Sequence, residues 1–159
     1  GEIDNLSKIV KPDIAIITNI SGAHFKNFNT LEDIAEAKAE IINNISEGGN
    51  IVLNKDSKFF SLLSRKAKKN GINITSFSLK KRSDIFLLGI KKIRNFYRLK
   101  VIVKNKIYYF DTKYINNNFI KNYFSYYKLF IAMLLHRLGI KDYTYLIDYF
   151  KKIVDTPII

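Results

Sequence analysis

A short apolar run followed by an amphipathic segment, together residues 12–45, constrains the fold of this chain most. Residues 13–20 (DIAIITNI) follow a proline and are mostly β-branched, as in a strand buried on both faces of a parallel sheet. Beyond a loop that carries His24, Thr30 and Asp33 can form a capping box, and apolar residues then recur at helical spacing. The stretch therefore predicts a strand, a loop and a helix that reaches Ile45.

Lys38 lies on the apolar stripe of that predicted helix, seven positions after Leu31 and seven before Ile45. Lysine is rarely buried without a partner. Burial would disfavour the ammonium and favour a neutral amine, which can react with carbon dioxide to give a carbamate whose oxygens suit a hard cation. The alternative is that the side chain extends along the helix and places its ammonium in solvent.

The rest of the chain predicts an α/β fold, a parallel sheet with flanking helices plus a small antiparallel meander. The pattern of residues 2–10 predicts the end of a helix, with its apolar residues on one side. A second strand at 50–54, a helix that Ser57 can cap and that runs to Asn70, and a third strand at 72–78 continue the β and α alternation, which favours right-handed crossovers. Gly71 suits the left-handed conformation that closes this helix. From residue 84 the pattern changes to period 2, typical of about three antiparallel strands. We expect three portions: parallel α/β at 1–83, antiparallel strands at 84–115 and helices at 116–159.

The net charge of +13 is unevenly distributed along the chain. Residues 1–57 hold 5 Lys/Arg against 9 Asp/Glu, so the remaining residues are strongly basic. This invites a nucleic-acid or phosphate-binding module as an alternative function. However, 22 of the 27 basic residues are lysine, in a chain rich in Ile and Asn, which also fits solvated lysines on exposed faces.

The chain has no cysteine, which excludes a disulfide framework and thiolate metal sites and fits a reducing compartment. Lysines and an arginine interrupt its most apolar segment, so that no stretch reaches the length of a membrane-spanning helix. We expect a soluble protein without a signal peptide.

Polar side chains follow the first two predicted strands. Thr18, Asn19, Ser21 and His24 come after the first strand, and Asn54 and Asp56 come after the second. In open α/β sheets, ligands bind beyond the carboxyl ends of the strands, so these six residues are candidate ligand contacts. Alternatively, the histidine is structural, Asn54 is a turn former and Asp56 starts a helix.

Two phosphate-binding motifs are missing from the sequence. It contains neither GxxxxGK[ST] nor GxGxxG, so the chain has no phosphate cradle of its own. We expect that this chain alone neither hydrolyses ATP nor forms peptide bonds, and an inert structural domain remains a third, weaker interpretation.

The first 57 residues resemble the Mur ligases. The resemblance rests on the points of match Gly1-Glu2-Ile3, Pro12, Ile17-Thr18-Asn19-Ile20, Ala23-His24, Ile34-Ala35, Ala37-Lys38, Glu40-Ile41, Val52-Leu53-Asn54 and Asp56. It implies the later part of a central ATP-binding domain, with the phosphate loop before Gly1 and a C-terminal domain after Ile159.

The resemblance also implies an activity and residue roles. The nearest match is to members that add D-alanyl-D-alanine to UDP-N-acetylmuramoyl-tripeptide, using ATP and magnesium, through an acyl phosphate. By resemblance, His24 binds magnesium, Lys38 is carbamylated and ligates or orients the metal, Asn54 and Asp56 lie near the nucleotide, and Asn122 lies on the adenine side. We then expect a monomeric bacterial cytoplasmic enzyme with neither membrane nor nucleic acid as partner.

Overall fold

The computed structural model describes residues 1–21, 28–103 and 105–112. In chain order its elements are α1 (Glu2–Val10), β1 (Ile14–Ile17), α2 (Leu31–Ala39) with a 3₁₀ turn (Glu40–Asn44), β2 (Asn50–Asn54), α3 (Phe60–Lys69), β3 (Asn73–Ser78), β4 (Ile85–Ile93), β5 (Phe96–Val103) and β6 (Lys106–Thr112). The helices predicted at 116–159, and Asn122 with them, lie outside the described residues.

The strands form one six-stranded sheet in the order β1-β2-β3-β4-β5-β6. The first three are parallel, with Ile16 opposite Val52 and Val52 opposite Thr75. The predicted parallel sheet is therefore confirmed. Because the three strands point the same way, their carboxyl ends meet at one edge.

The junction between β3 and β4 was not predicted. The two strands are parallel but share only two residue pairs, Phe77 with Ile85 and Ser78 with Phe86. The six residues between them cannot cross back along a whole strand, as a helical crossover can, so β4 starts beside the end of β3 and continues past it. The predicted meander follows as an antiparallel pairing of β4 with β5, with a bulge at Leu88. It extends the parallel sheet beyond its carboxyl edge.

The helix α2 begins as predicted and ends earlier. Thr30 Oγ1 accepts a hydrogen bond from the Asp33 backbone N–H at 3.0 Å, and the Asp33 carboxylate accepts one from the Thr30 N–H at 2.9 Å, which confirms the capping box. The prediction of helix as far as Ile45 is wrong, because Glu40–Asn44 tightens into a 3₁₀ turn. The Ser46 N–H donates to the Pro12 carbonyl at 3.0 Å, which draws the chain away from the helix axis.

The main core lies between one face of the parallel strands and the helices α2 and α3. Strand alternation places Ile51 and Leu53 in this core and turns Val52 and Asn54 to the opposite face of the sheet. Its buried members include Ala15, Ile17, Ile34, Ala35, Ala39, Ile42, Ile51, Leu53, Leu63 and Ala67. The apolar stripe of α2 thus packs the helix against the core-facing side of the strands.

Ser57 does not cap the helix that follows β2, so that prediction is wrong. Its hydroxyl accepts a hydrogen bond from the Phe59 N–H at 3.2 Å within a turn, and α3 begins only at Phe60, without a side-chain cap. At the other end Gly71 has φ 69°, the left-handed conformation predicted for it.

The helix α1 spans the predicted residues, but its apolar side faces solvent. Leu6, Ile9 and Val10 are 57, 82 and 70 % exposed, and the buried residue of this helix is Ser7. Polar contacts attach the helix to the 3₁₀ turn instead, since the Asn44 amide donates to Asp4 Oδ1 and to Ser7 Oγ at 2.9 Å each.

Candidate functional site

The carboxyl ends of β1 and β2 are joined by a side chain that the sequence marked as a candidate. The Asn54 amide nitrogen donates a hydrogen bond to the Thr18 carbonyl oxygen at 3.1 Å, and Asn54 is 5 % exposed. Two of the predicted site residues are therefore brought together, as parallel pairing of β1 and β2 requires. The bond holds the end of β1 at a fixed position beside β2.

Asp56 continues this connection from β2 to β3. Its backbone N–H donates to Asn54 Oδ1 at 2.9 Å, which forms a local turn. One carboxylate oxygen accepts from the Ser78 hydroxyl and the other from the Leu79 N–H, both at 2.7 Å. The turn-forming alternative for Asn54 is thus confirmed. The helix-start alternative for Asp56 is wrong, because its carboxylate bridges two strand ends and α3 begins later.

Asn19 occupies the same edge, immediately after Thr18. Its side-chain oxygen accepts a hydrogen bond from the Ile20 N–H at 2.9 Å, and Asn19 is half-buried whereas Ile20 is buried. The side chain therefore shapes the chain as it leaves β1. Its amide N–H groups have the chemistry to donate to a ligand at this edge.

Lys38 is half-buried on α2, and Ile34, Ala35 and Ala39 around it on this helix are buried. Its position next to the core agrees with the apolar stripe predicted for it. His24 and Asn122 lie outside the described residues, so the metal and carbamate roles of His24 and Lys38, and the adenine role of Asn122, stay predictions.

Sequence reasoning missed a second polar connection at this edge. The Ser76 N–H and hydroxyl donate to one Asp84 carboxylate oxygen at 2.8 and 2.6 Å, and the Asp84 N–H donates back to the Ser76 hydroxyl at 3.2 Å. These bonds fix the start of β4 against β3. The available signal was the pair Ser76 and Ser78 on either side of Phe77 in a predicted strand, because a buried hydroxyl needs a partner.

An open pocket of about 490 Å³ lies beside this second connection. The Lys55 ammonium donates to the Arg82 carbonyl oxygen at 2.8 Å and so holds the loop between β3 and β4 against the end of β2. The lining side chains have both signs of charge and come from Lys55, Ser76, Arg82, Ser83, Asp84 and Asn105. The pocket is polar, and its shape depends on that loop.

The described side chains do not by themselves form a metal site. No group of three His, Cys, Asp or Glu residues that could hold a metal occurs within 1–21, 28–103 and 105–112. Both oxygens of the Asp56 carboxylate already accept hydrogen bonds. What the described residues provide is a rigid edge at which Thr18, Asn19 and Asn54 meet.

Among the described helices, none has the length and the apolar composition that spanning a membrane requires.

Comparison with known proteins identifies the family. Residues 1–126 match the family model of the Mur ligase middle domain. The chain belongs to the Mur ligase family. The match covers all the described elements and extends the predicted resemblance well beyond the first 57 residues.

One similar Mur ligase is the UDP-N-acetylmuramoyl-tripeptide--D-alanyl-D-alanine ligase of Rickettsia prowazekii, which is 35 % identical over 124 residues. That alignment covers 77 % of this chain and 28 % of the Rickettsia enzyme. The chain therefore spans less than a third of the length of this relative.

Solved Mur ligase structures share the fold. A crystal structure of MurF from Acinetobacter baumannii superposes with a TM-score of 0.63 at 27 % identity, over 74 % of this chain and 25 % of that one. MurF from Thermotoga maritima, solved in complex with ADP, gives a TM-score of 0.66 at 24 % identity, over 87 % of this chain and 30 % of that one. The mixed sheet with flanking helices is thus that of the family.

Proposed function

We propose that this chain is part of an ATP-dependent ligase that adds D-alanyl-D-alanine to UDP-N-acetylmuramoyl-tripeptide in peptidoglycan precursor synthesis. The observation that carries the proposal is the 124-residue match to the Rickettsia ligase named for that reaction. ATP use fits the ADP complex of the Thermotoga neighbour. We expect the ligase to act as a monomer in the bacterial cytoplasm.

The carboxyl edge supports a positioning role for two of the candidate residues. Asn54 and Asp56 link three successive strand ends through hydrogen bonds of 2.7 to 3.1 Å, so the surface there is held rigidly before any ligand arrives. A preorganised polar edge lowers the entropy cost of orienting a nucleotide. In this proposal Thr18 and Asn19 present polar groups to the ligand, and Asn54 and Asp56 hold them in place.

His24 and Lys38 are proposed as the metal side of the site. A bound magnesium ion would neutralise part of the negative charge of the nucleotide phosphates. Lys38, half-buried on α2, would contribute oxygen ligands or orient them only as a carbamate, since an ammonium repels a cation. His24 follows the last residue of β1 by seven positions in the sequence.

A segment exchange tests the proposal. The part of the Rickettsia ligase that aligns with this chain would be replaced by the aligned residues of this chain. Phosphate release would then be measured with ATP, UDP-N-acetylmuramoyl-tripeptide and D-alanyl-D-alanine. We expect release that requires all three substrates. The matched control is the host enzyme rebuilt with the same junctions around its own segment.

Two results would contradict the proposal. One is a chimera that melts as cooperatively as the control and shows no substrate-dependent phosphate release. The other is release that continues when D-alanyl-D-alanine is omitted, because that is ATP hydrolysis without ligation. Separately, we expect the isolated 159-residue chain to release no phosphate above background, since its sequence has no phosphate loop.

A further inference from the structure

The strands β4 and β5 and the start of β6 carry charge of one sign only. Between Asp84 and Asp111 the sequence has seven Lys and Arg residues and no acidic one. The sheet register places Lys91 directly opposite Arg98. Like charges directly opposite each other across an antiparallel pair are destabilising, so the ribbon keeps this positive charge at a cost in stability.

Strand alternation places Lys91, Arg98 and Lys100 on one face of β4 and β5, which we call the basic face, whereas Lys92 lies on the other side. The pairs Gly89 with Lys100 and Lys91 with Arg98 lie next to each other on the same side of the two strands. Lys91 and Arg98 are exposed, and Lys100 is half-buried. Gly89 has no side chain, so the surface is recessed there beside Lys91 and Lys100. The opposite side carries Leu99, which is buried at 1 % exposure.

Exposed apolar side chains border the basic face. Leu88, at the bulge, is 42 % exposed, and Ile107 and Tyr109 on β6 are 51 and 60 % exposed. Ile107 and Tyr109 are two positions apart and so lie on one side of β6, the strand next to β5 in the sheet. The strand segments beside the basic face therefore carry exposed aliphatic and aromatic side chains.

We propose that the basic face binds the surface of an anionic phospholipid bilayer. Lysine and arginine near such a surface are attracted by its negative potential, and apolar or aromatic side chains beside them enter the headgroup region. This is contact with a membrane surface, which needs no spanning segment. It departs from the expectation, drawn from the sequence, that a membrane is not a partner.

The apolar border favours a lipid surface over a nucleic acid. Phosphates of DNA or RNA would be neutralised by the cations alone, and bases stack on aromatic rings. Aliphatic side chains such as Leu88 and Ile107 add little to either contact. Their exposure next to Lys91 and Lys100 is explained by a partner that has both negative charge and hydrocarbon.

Vesicle binding tests the proposal in the 159-residue chain. Co-sedimentation would be measured with phosphatidylcholine vesicles that contain about 30 mol % phosphatidylglycerol and with pure phosphatidylcholine vesicles. We expect binding to the anionic vesicles alone, weakening as salt rises from roughly 50 to 200 mM. A Lys91→Gln/Lys100→Gln variant should lower the partition coefficient at least about tenfold.

Two further variants separate the face from overall charge. Lys68→Gln/Lys69→Gln removes the same charge from exposed positions of α3 and should change partitioning by no more than about twofold. Ile107→Thr keeps a β-branched side chain and the charge, and should weaken vesicle binding several-fold. Circular dichroism would verify that each variant is folded.

Three outcomes would overturn the proposal. The first is no sedimentation with anionic vesicles at the lower salt. The second is an equal loss in the two double-lysine variants, which would show general electrostatic attraction. The third is tighter binding of a labelled single-stranded oligonucleotide than of the anionic vesicles. If Lys91→Gln/Lys100→Gln weakens that binding and Ile107→Thr does not, the basic face is a nucleic-acid surface.

Discussion

The side-chain amide of Asn54 donates a hydrogen bond to the carbonyl oxygen of Thr18, 3.1 Å away, across the carboxyl ends of two parallel strands. The same side chain accepts a hydrogen bond from the Asp56 N–H. Both atoms of a nearly buried amide are thus used within the chain. A residue expected to contact a nucleotide is first of all a connector between strands.

Replacing Asn54 by alanine should lower the free energy of unfolding by about 1–3 kcal/mol, because the Thr18 carbonyl and the Asp56 N–H would lose their partner in a nearly buried place. Urea denaturation measures the change. Asn5→Ala, at an exposed position of α1, is the matched control and should stay within about 0.5 kcal/mol of wild type. Equal decreases in the free energy of unfolding for Asn54→Ala and Asn5→Ala would contradict the role of Asn54 as a connector between strands.

Gly49 should not tolerate a methyl group. A Cβ there would lie 2.6 Å from Ile45 Cγ2 and 2.8 Å from the Asp13 carbonyl oxygen, so backbone would have to move. We expect Gly49→Ala to lower the melting temperature and cost about 1–3 kcal/mol. At Gly89 a Cβ meets nothing within 4 Å, and Gly89→Ala should be neutral or stabilising by up to about 1 kcal/mol. A lower melting temperature for Gly89→Ala than for Gly49→Ala would contradict this account.

Asp4 should make stability depend on acid pH. The Lys8 ammonium, 2.6 Å from its carboxylate, and the Asn44 amide hold the pKa of Asp4 below its ordinary value of 3.8. A pKa that is lower in the folded state stabilises the fold above the unfolded value, and this contribution disappears as pH falls through the folded value. We expect the urea midpoint to fall as pH drops from 3.8 and below.

Two substitutions check the assignment to Asp4. Asp4→Asn should flatten the acid dependence of the urea midpoint, because the titrating group is gone. Lys8→Gln should flatten it in part, since it removes the largest cause of the lowered pKa. An acid dependence identical to wild type in Asp4→Asn would assign the effect to another carboxylate.

Lys38 is the residue whose chemistry depends most on the proposed function. In the chimeric ligase, Lys38→Ala should reduce substrate-dependent phosphate release at least about 100-fold, because no carbamate can form to serve the metal. Added short-chain carboxylic acids should restore part of the activity by supplying the missing oxygens. Lys58→Ala, an exposed lysine in a surface ion pair with Glu32, is the control and should retain activity. Near-normal phosphate release by the Lys38→Ala chimera would contradict the carbamate role.

The elements that were predictable from the sequence are those whose signals are local. The Thr30 and Asp33 capping box and the left-handed Gly71 each act within a few residues, and both are found as predicted. The apolar run at 13–20 does form a strand, but β1 covers only Ile14–Ile17 and Ile14 is 41 % exposed, so the prediction of burial on both faces is wrong there. The alternation in β5 likewise places Leu99 and Val101 inward and Arg98 outward. Periodicity and caps report local geometry, which the folded chain keeps here.

The features that were not predictable depend on partners distant in sequence. The parallel start of β4 depends on the hydrogen bond from Ser76 to the Asp84 carboxylate, and no spacing in the sequence predicts that contact. The early end of α2 depends on the Ser46 bond to Pro12, 34 positions away in sequence. For the candidate site, the sequence placed Asn54 and Asp56 at the carboxyl end of β2, where the structure has them, and their contact with a nucleotide stays a prediction. Their internal hydrogen bonds required the assembled sheet.

The short connection between β3 and β4 has a consequence for the order of folding. A β-hairpin such as β4–β5 forms in about 1–10 μs, and a six-residue link to β3 adds little loop entropy. The Thr18 to Asn54 contact instead joins residues 36 positions apart and must wait for a much larger loop to close. The β4–β5 hairpin beside the carboxyl edge is thus expected to form first, and the edge that we propose to bind the ligand is completed last.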